Sequence, residues 1–228
     1  MTGNVLKVIA MFSMLVDYVG AIFFPDVLVL RVIGQLSLPI FAFLVAEGCY
    51  YTHDIFIYFL RLFAFASVSQ LFYYWAFDVS FDFFSVFNVF FTLSLAVFVI
   101  YQIQSLSARY SFAPRRLDSV IFVIVSLIFI LAASLMRFAC GAYGILLVLA
   151  FYYGRKNRKK SFLTFAVLTT FQGVFAPIQI LSLLAYIPLS KYNGKRGNLV
   201  PKRFFYAFSS FFLASLAVLR IVFSVFPS

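Results

Sequence analysis

The sequence predicts an all-α membrane protein: a polytopic bundle of about nine transmembrane helices, formed by one integral membrane domain over residues 1–228, with its N-terminus in the cytoplasm. Three observations predict it. The chain is 64% hydrophobic and only 11% charged, against roughly 45–50% and about 25% in soluble domains. Its apolar residues fall into runs of about the 17–25 residues that a spanning helix needs. Its basic residues collect between those runs, and in alternate gaps.

The runs are placed at 5–24, 27–48, 56–75, 88–105, 118–135, 138–153, 161–176, 178–190 and 204–224. The first is too long for a secretory h-region and lacks an A-x-A-like site after it, so it reads as a retained helix. Asp26 closes it, and the second run ends at Tyr50-Tyr51-Thr52-His53-Asp54, a polar turn whose lone histidine reads as a solvated loop residue. Asp78 and Asp82 precede the fourth run. The seventh and eighth are short and separated only at Ala176-Pro177, where proline removes a backbone donor and disfavours helix at the residue before it.

Charge sets the orientation. Arg109, Arg115 and Arg116 follow span four; Arg155, Lys156, Arg158, Lys159 and Lys160 follow span six; Lys191, Lys195, Arg196, Lys202 and Arg203 follow span eight. These are thirteen of the eighteen basic residues, and all lie after even-numbered spans, hence on the cytoplasmic side of an inside-N-terminus chain. Asp26, Asp78, Asp82 and the tail Phe226-Pro227-Ser228 then lie outside. Merging spans seven and eight would move the last basic loop outside, so charge argues for the break at Pro177.

The net charge of +11 is therefore topogenic, with lipid or phosphate contact as its second use, and a nucleic-acid partner is not expected because no groove or platform exists to present bases. The thirty-four Phe and fourteen Tyr suit acyl chains and interfaces without marking a site. Cys49 and Cys140 fall at opposite faces and read as packing residues, and no ligand cluster predicts a metal. Internal repeats and paired broken helices are absent from the pattern, which weakens a repeat-built transporter.

Charged groups inside hydrocarbon are costly and usually face protein or water. Asp17 lies about 10 Å below the outer end of span one and Arg31 about 6 Å below that of span two, so these adjacent antiparallel helices are expected to pair them. Glu47 ends span two at the cytoplasmic face and Arg61 lies about 9 Å into span three, which suggests a second pair. Arg31, Gln35, Pro39, Ala42 and Ala46 share one helical face, as do Ala10, Met14, Asp17 and Ala21, so a narrow polar crevice above close small-residue packing is expected. The same ion pairs would also serve merely to fix helix register.

Several segments, in order, resemble the TraX family. They are Lys7-Val8-Ile9-Ala10-Met11 with Asp17-Tyr18-Val19-Gly20, then Leu30-Arg31-Val32-Ile33-Gly34-Gln35-Leu36, then Pro39-Ile40-Phe41-Ala42-Phe43-Leu44 with Ala46-Glu47-Gly48. Asn88-Val89-Phe90-Phe91-Thr92-Leu93, Tyr143-Gly144 and Tyr192-Asn193-Gly194-Lys195-Arg196-Gly197 continue the match. The resemblance implies a multi-pass protein of the bacterial plasma (inner) membrane that moves an acetyl group from cytosolic acetyl-CoA, its acyl donor, to an amine, with a pilin N-terminus or another amine as acceptor. It implies catalytic roles for Asp17, Tyr18, Arg31 and Glu47, and substrate-binding roles for Gln35, Arg61, Asn88, Lys195 and Arg196.

Two positions depart from the family pattern. Asp17-Tyr18 stands where the family has Asp-His, and Tyr206-Ala207-Phe208-Ser209-Ser210-Phe211 replaces a Tyr-Pro-x-His-type segment. Histidine accepts a proton near neutrality, with an unperturbed pKa of about 6.5, whereas a phenol near 10 is mostly a donor. The expectation is therefore an acetyltransferase scaffold whose catalysis is altered or lost. A small-solute or lipid transporter and a non-catalytic membrane scaffold are the alternatives.

Overall fold

The computed structural model describes residues 1–77, 87–109, 115–135, 140–197 and 202–225. Asp78, Asp82 and the tail from Phe226 lie outside the described residues, as do the side chains of Arg109, Arg115, Arg116, Lys202 and Arg203. Within the described residues the fold is helical: α1 Gly3–Phe23, α2 Leu28–Gly34, α3 Ser37–Tyr51, α4 Ile55–Phe77, α5 Val89–Arg109, α6 Arg115–Leu135, α7 Gly141–Gly154, α8 Arg158–Phe175, a 3-10 helix Pro177–Ala185, α9 Tyr186–Ser190 and α10 Lys202–Val225.

Short polar residues start several of these helices by taking up amides that have no helical partner. Asp54 Oδ1 accepts from Ile57 N at 3.0 Å, Asn88 Oδ1 from Phe90 N at 2.9 Å, and Asn157 Oδ1 from Lys160 N at 3.1 Å. Prolines end others. α1 stops before Pro25, and α8 stops at Ala176, whose φ of −140° and ψ of 88° turn the chain into the 3-10 helix opened by Pro177. The break at Pro177 thus stands where charge required it.

The second predicted run is not one helix. It divides into α2 and α3 at Gln35-Leu36, because Pro39 has no amide to offer the Gln35 carbonyl and its ring crowds that position. The eighth is likewise divided, between the 3-10 helix and α9.

Among the described residues, four segments are long and apolar enough to cross a bilayer by length and composition: Gly3–Phe23, Leu28–Tyr51, Ile55–Phe77 and Val89–Ala108. Shorter apolar helices, such as Gly141–Gly154 and Pro177–Ser190, accompany them. The side-chain pattern is that of a membrane protein. Leu60, Phe63, Val68 and Leu71 on α4, Val123, Leu127 and Leu131 on α6, and Leu163, Val167, Phe171 and Val174 on α8 are all exposed. Such continuous apolar surface would aggregate in water and is stable against acyl chains.

At the centre, α1, α3, α5 and α7 form a core that includes Leu6, Ala10, Ile40, Phe41, Leu93, Val97, Ile145 and Val148. A smaller core joins Ala76 of α4 to Phe212, Leu213, Leu216 and Ala217 of α10, with Leu15 and Val19 of α1 packed on it. Hydrogen bonds gather several chain segments at one end of the bundle. The amides of Gly3 and Asn4 donate to the carbonyls of Lys195 and Arg196 at 2.8 and 2.9 Å. There, Arg158 reaches the Tyr192 carbonyl at 2.9 Å, and the C-terminal end of α3 meets Arg155. This is the end that carries Lys156, Lys159, Lys160, Lys195 and Arg196, all exposed.

Candidate functional site

Two polar sites sit toward opposite ends of the bundle. The first is built by α1 and α2. Arg31 donates from Nη1 to Asp17 Oδ1 at 2.7 Å and to the Asp17 carbonyl at 3.4 Å. Gly34 makes this possible, because a Cβ there would collide with the Asp17 side chain. The pair lines a cavity of about 270 Å³ together with Met14, Tyr18, Ala21, Gly34, Gln35, Ser37, Leu38, Phe41, Tyr73, Phe77, Val89, Cys140 and Gln179. Tyr18 is held in an aromatic cluster with Tyr73, Phe77 and Phe212, at centroid distances of 6.4, 5.3 and 6.3 Å.

The face read from the sequence as polar above and small below has that form. Asp17, Arg31 and Gln35 line the cavity, while Ala10, Ala42 and Ala46 are completely or almost completely buried below it.

The second site lies at the basic end, in a crevice of about 160 Å³ lined by Phe43, Glu47, Phe151, Arg155, Arg158, Ser161, Phe162 and Gly194. Glu47 accepts from Arg155 Nε at 2.7 Å through Oε1 and from the Tyr192 hydroxyl at 3.2 Å through Oε2. Arg155 in turn lies 3.6 Å over the Tyr50 ring and donates to the Tyr51 hydroxyl at 2.8 Å. Burial, then the charge and hydrogen bond of Glu47, push the Tyr192 phenol up to about 12, so it stays protonated and able to donate at neutral pH.

The expected Glu47–Arg61 pair is therefore corrected: Glu47 pairs with Arg155, and Arg61 is exposed on α4. Depth along adjacent helices allowed the contact, but Glu47 turns toward α7 and the 191–197 loop, where a second guanidinium and a phenol are available. Asn88 is drawn into structure rather than into either cavity. It is fully buried, its backbone amide donates to Gln70 Oε1 at 2.8 Å, and its Nδ2 donates to the Ala66 carbonyl at 3.1 Å and to Ser69 Oγ at 3.2 Å. Lys195 and Arg196 stand exposed beside Gly194 on the rim of the basic-end crevice. Cys49 and Cys140 are free thiols, and His53 is exposed.

Asp17, Tyr18, Arg31 and Gln35 are thus brought together, and Glu47 belongs to a separate site. A sequence model described as TraX protein matches residues 2–220. The chain belongs to the TraX family. It is also 32% identical over 241 residues to the probable fimbrial assembly protein FimC, serogroup H1, of Dichelobacter nodosus, an alignment covering 94% of this chain and 92% of that one. No solved structure matches the chain.

The segments that carry the TraX resemblance fall on both sites and on the frame between them. Asp17-Tyr18 and Arg31 to Gln35 wall the first cavity. Tyr192 to Gly197 is the loop bound to the N-terminal residues of α1, and Gly194 and Gly197, both at φ 75°, take the left-handed backbone that glycine adopts without strain. Four residues escaped the sequence reading. Arg155 and Arg158 stand out in the sequence as topogenic charge with phosphate or lipid contact as a second use, not as partners of Glu47 and Tyr192, and Tyr73 and Gln179 are hidden in apolar helices.

Proposed function

We propose that this TraX-family protein is a membrane acyltransferase that passes an acetyl group from acetyl-CoA, entering at the basic end, to an amine held at the Asp17–Arg31 cavity. The observation that carries the reading is that cavity. An ion pair with a 2.7 Å contact sits in its wall beside Gln35, on residues that match the family's most recognisable segments. The similarity to a probable fimbrial assembly protein supports a pilin N-terminus as the type acceptor.

The topology in this reading is nine spans with the N-terminus, Glu47, Arg155 and Lys195 cytoplasmic, in the inner membrane of a bacterium. The clustering of exposed lysines and arginines at one end supports that orientation. Arg155, Arg158, Lys195 and Arg196 are the donor set suited to the phosphates of the acyl donor. From the level of Glu47 to that of Gln35 is about 18 Å along α3 and α2 at 1.5 Å per residue, the distance the thioester end has to cross.

In the transfer step the amine nitrogen attacks the thioester carbonyl, a C–N bond forms, and the C–S bond breaks to release a thiolate. The nitrogen's proton passes to the Asp17 carboxylate. Tyr18 in the histidine position leaves that carboxylate as the acceptor, and it has to give up part of its contact with Arg31 to take the proton, so turnover is expected to be slow.

The test is purified protein in lipid nanodiscs with labelled acetyl-CoA and a free-amine peptide. Wild type is expected to bind the donor and acetylate the peptide, and an Asp17→Asn, Arg31→Ala double variant to bind without transfer. Transfer retained by the double variant rules out this site. Donor binding without transfer by wild type identifies an inactive relative, the scaffold reading.

A further inference from the structure

We infer that Gln179 is the recognition group for the acceptor, its side-chain carbonyl receiving an N–H of a primary amine in the Asp17–Arg31 cavity. The inference rests on the amine-acceptor reading above and names a residue that neither the family segments nor the sequence pattern singled out.

Gln179 is the third residue of the 3-10 helix Pro177–Ala185, which packs on α8 and reaches α2 and α3. Its backbone is firmly held. The Gln179 carbonyl accepts from Ser182 Oγ at 2.7 Å, Ser182 Oγ lies 3.3 Å from the Tyr143 hydroxyl, and that hydroxyl lies 2.9 Å from Thr169 Oγ1. This chain of hydroxyls ties the 3-10 helix to α7 and α8, so the backbone from which the Gln179 side chain projects is set by three elements at once.

The side chain itself is not tied. Gln179 Oε1 is shielded from solvent and has no hydrogen-bond partner among the described residues, although the residue lines the cavity. A buried amide oxygen without a donor is unfavourable, and hydroxyls elsewhere in the core that share this state, those of Thr92 and Ser126, do not line the cavity. The residue lines a polar cavity, and rotation of its untethered amide about the last side-chain torsion would offer this oxygen to an N–H or O–H of whatever enters.

The rest of the wall selects among such ligands. Arg31 is the cation in the lining, and Asp17 already engages it, so an anionic ligand finds no free positive charge. Tyr18, Tyr73 and Phe77 line the same space, and aromatic faces favour an ammonium over a neutral or anionic group. A carbonyl, a carboxylate with one oxygen left by Arg31, and aromatic faces together suit a primary amine better than an alcohol or a carboxylate.

Because Gln179 makes no side-chain hydrogen bond among the described residues, its replacement removes recognition without removing a hydrogen bond of the fold. The experiment measures binding, without acyl donor, of a hexapeptide with a free α-amino group and of the same peptide N-acetylated, to protein in nanodiscs. Wild type is expected to prefer the free amine by about tenfold or more, the effect of one hydrogen bond to a charged donor. Gln179→Leu is expected to lose most of that preference with thermal unfolding unchanged, and Gln179→Glu to keep or increase it.

An unchanged preference in Gln179→Leu overturns the inference, and so does a wild type that does not discriminate between the two peptides, whatever its acetyl transfer. A wild type that discriminates through Gln179 but transfers no acetyl group overturns the enzymatic reading and leaves this inference standing.

Discussion

Removing Arg155 exposes how the basic end is held together. Its guanidinium contacts Glu47 at 2.7 Å, lies 3.6 Å over the Tyr50 ring and donates to the Tyr51 hydroxyl at 2.8 Å. The Glu47 side chain is 12% exposed and that of Arg155 29%, so the pair belongs neither to the surface class, worth about 0.2–1 kcal/mol, nor to the fully buried one, whose breakage costs about 3–5 kcal/mol. The coupling between them is expected at about 1.5–3 kcal/mol. Arg155→Met alone costs more, because stacking on Tyr50 adds about 0.5–1 kcal/mol and Glu47 is left with only the Tyr192 hydroxyl. A double-mutant cycle of Glu47→Gln and Arg155→Met, read by reversible unfolding in mixed micelles, removes the Tyr50 and Tyr51 terms from both arms and isolates the pair. A coupling below about 0.3 kcal/mol would refute the reasoning and reduce this contact to a surface pair.

Gly34→Ala forces a methyl group into the Asp17 side chain and is expected to destabilise by about 1–3 kcal/mol, as overpacking does, and to broaden the Arg31 guanidinium signal in NMR spectra; an unchanged spectrum counts against the close approach of α1 and α2. Asn88→Ala removes a helix cap together with the side-chain bonds to Ala66 and Ser69, with an expected loss of about 2–4 kcal/mol and no change in amine binding. Tyr192 gives a pH signature. Its folded pKa of about 12 lies above the ordinary 10.0, so its proton stabilises the folded state fully below pH 10, and that contribution is lost as pH rises toward 12. Unfolding measured from pH 9 to 12 is expected to fall more steeply in wild type than in Tyr192→Phe, and parallel slopes would contradict the shift.

Helix positions were legible because apolar runs of bilayer length leave little alternative, and Pro177 broke the chain where charge parity required a break. Pro39 carries an equally clear signal, but its place on the face shared with Arg31, Gln35, Ala42 and Ala46 masks the division between α2 and α3. The Asp17–Arg31 contact was legible for a simple reason: two helices joined by a tight turn must lie side by side, so equal depth is nearly sufficient. Glu47 had no such constraint. Its partner is 108 residues away, and choosing it requires the rotation of α3 about its axis, which depth alone does not give. Asn88 shows the converse, since membership of a family segment pointed to a substrate role where the residue's bonds are spent on capping α5. Gln179 was invisible because one amide in an apolar stretch forms no pattern; only the cavity beside it gives its unpaired oxygen meaning.

The two polar sites share α3 as a common wall, and what lies between them decides how a group can pass. Below the cavity, α1 and α3 pack with Ala10, Ala42 and Ala46 buried, alongside Leu6 and Val45. The alanines let the two backbones approach closely, and Leu6, Ile40 and Phe41 are buried in the same core, so the space between the two sites is closed by packing. At the basic end, Glu47, Arg155 and Tyr192 tie α3 to the turn after α7 and to the 191–197 loop, and the loop is tied again to Gly3 and Asn4. That clamp opposes the large rocking of one half against the other that alternating access demands. A fixed end of this kind weighs against alternating access, and so against the transporter reading.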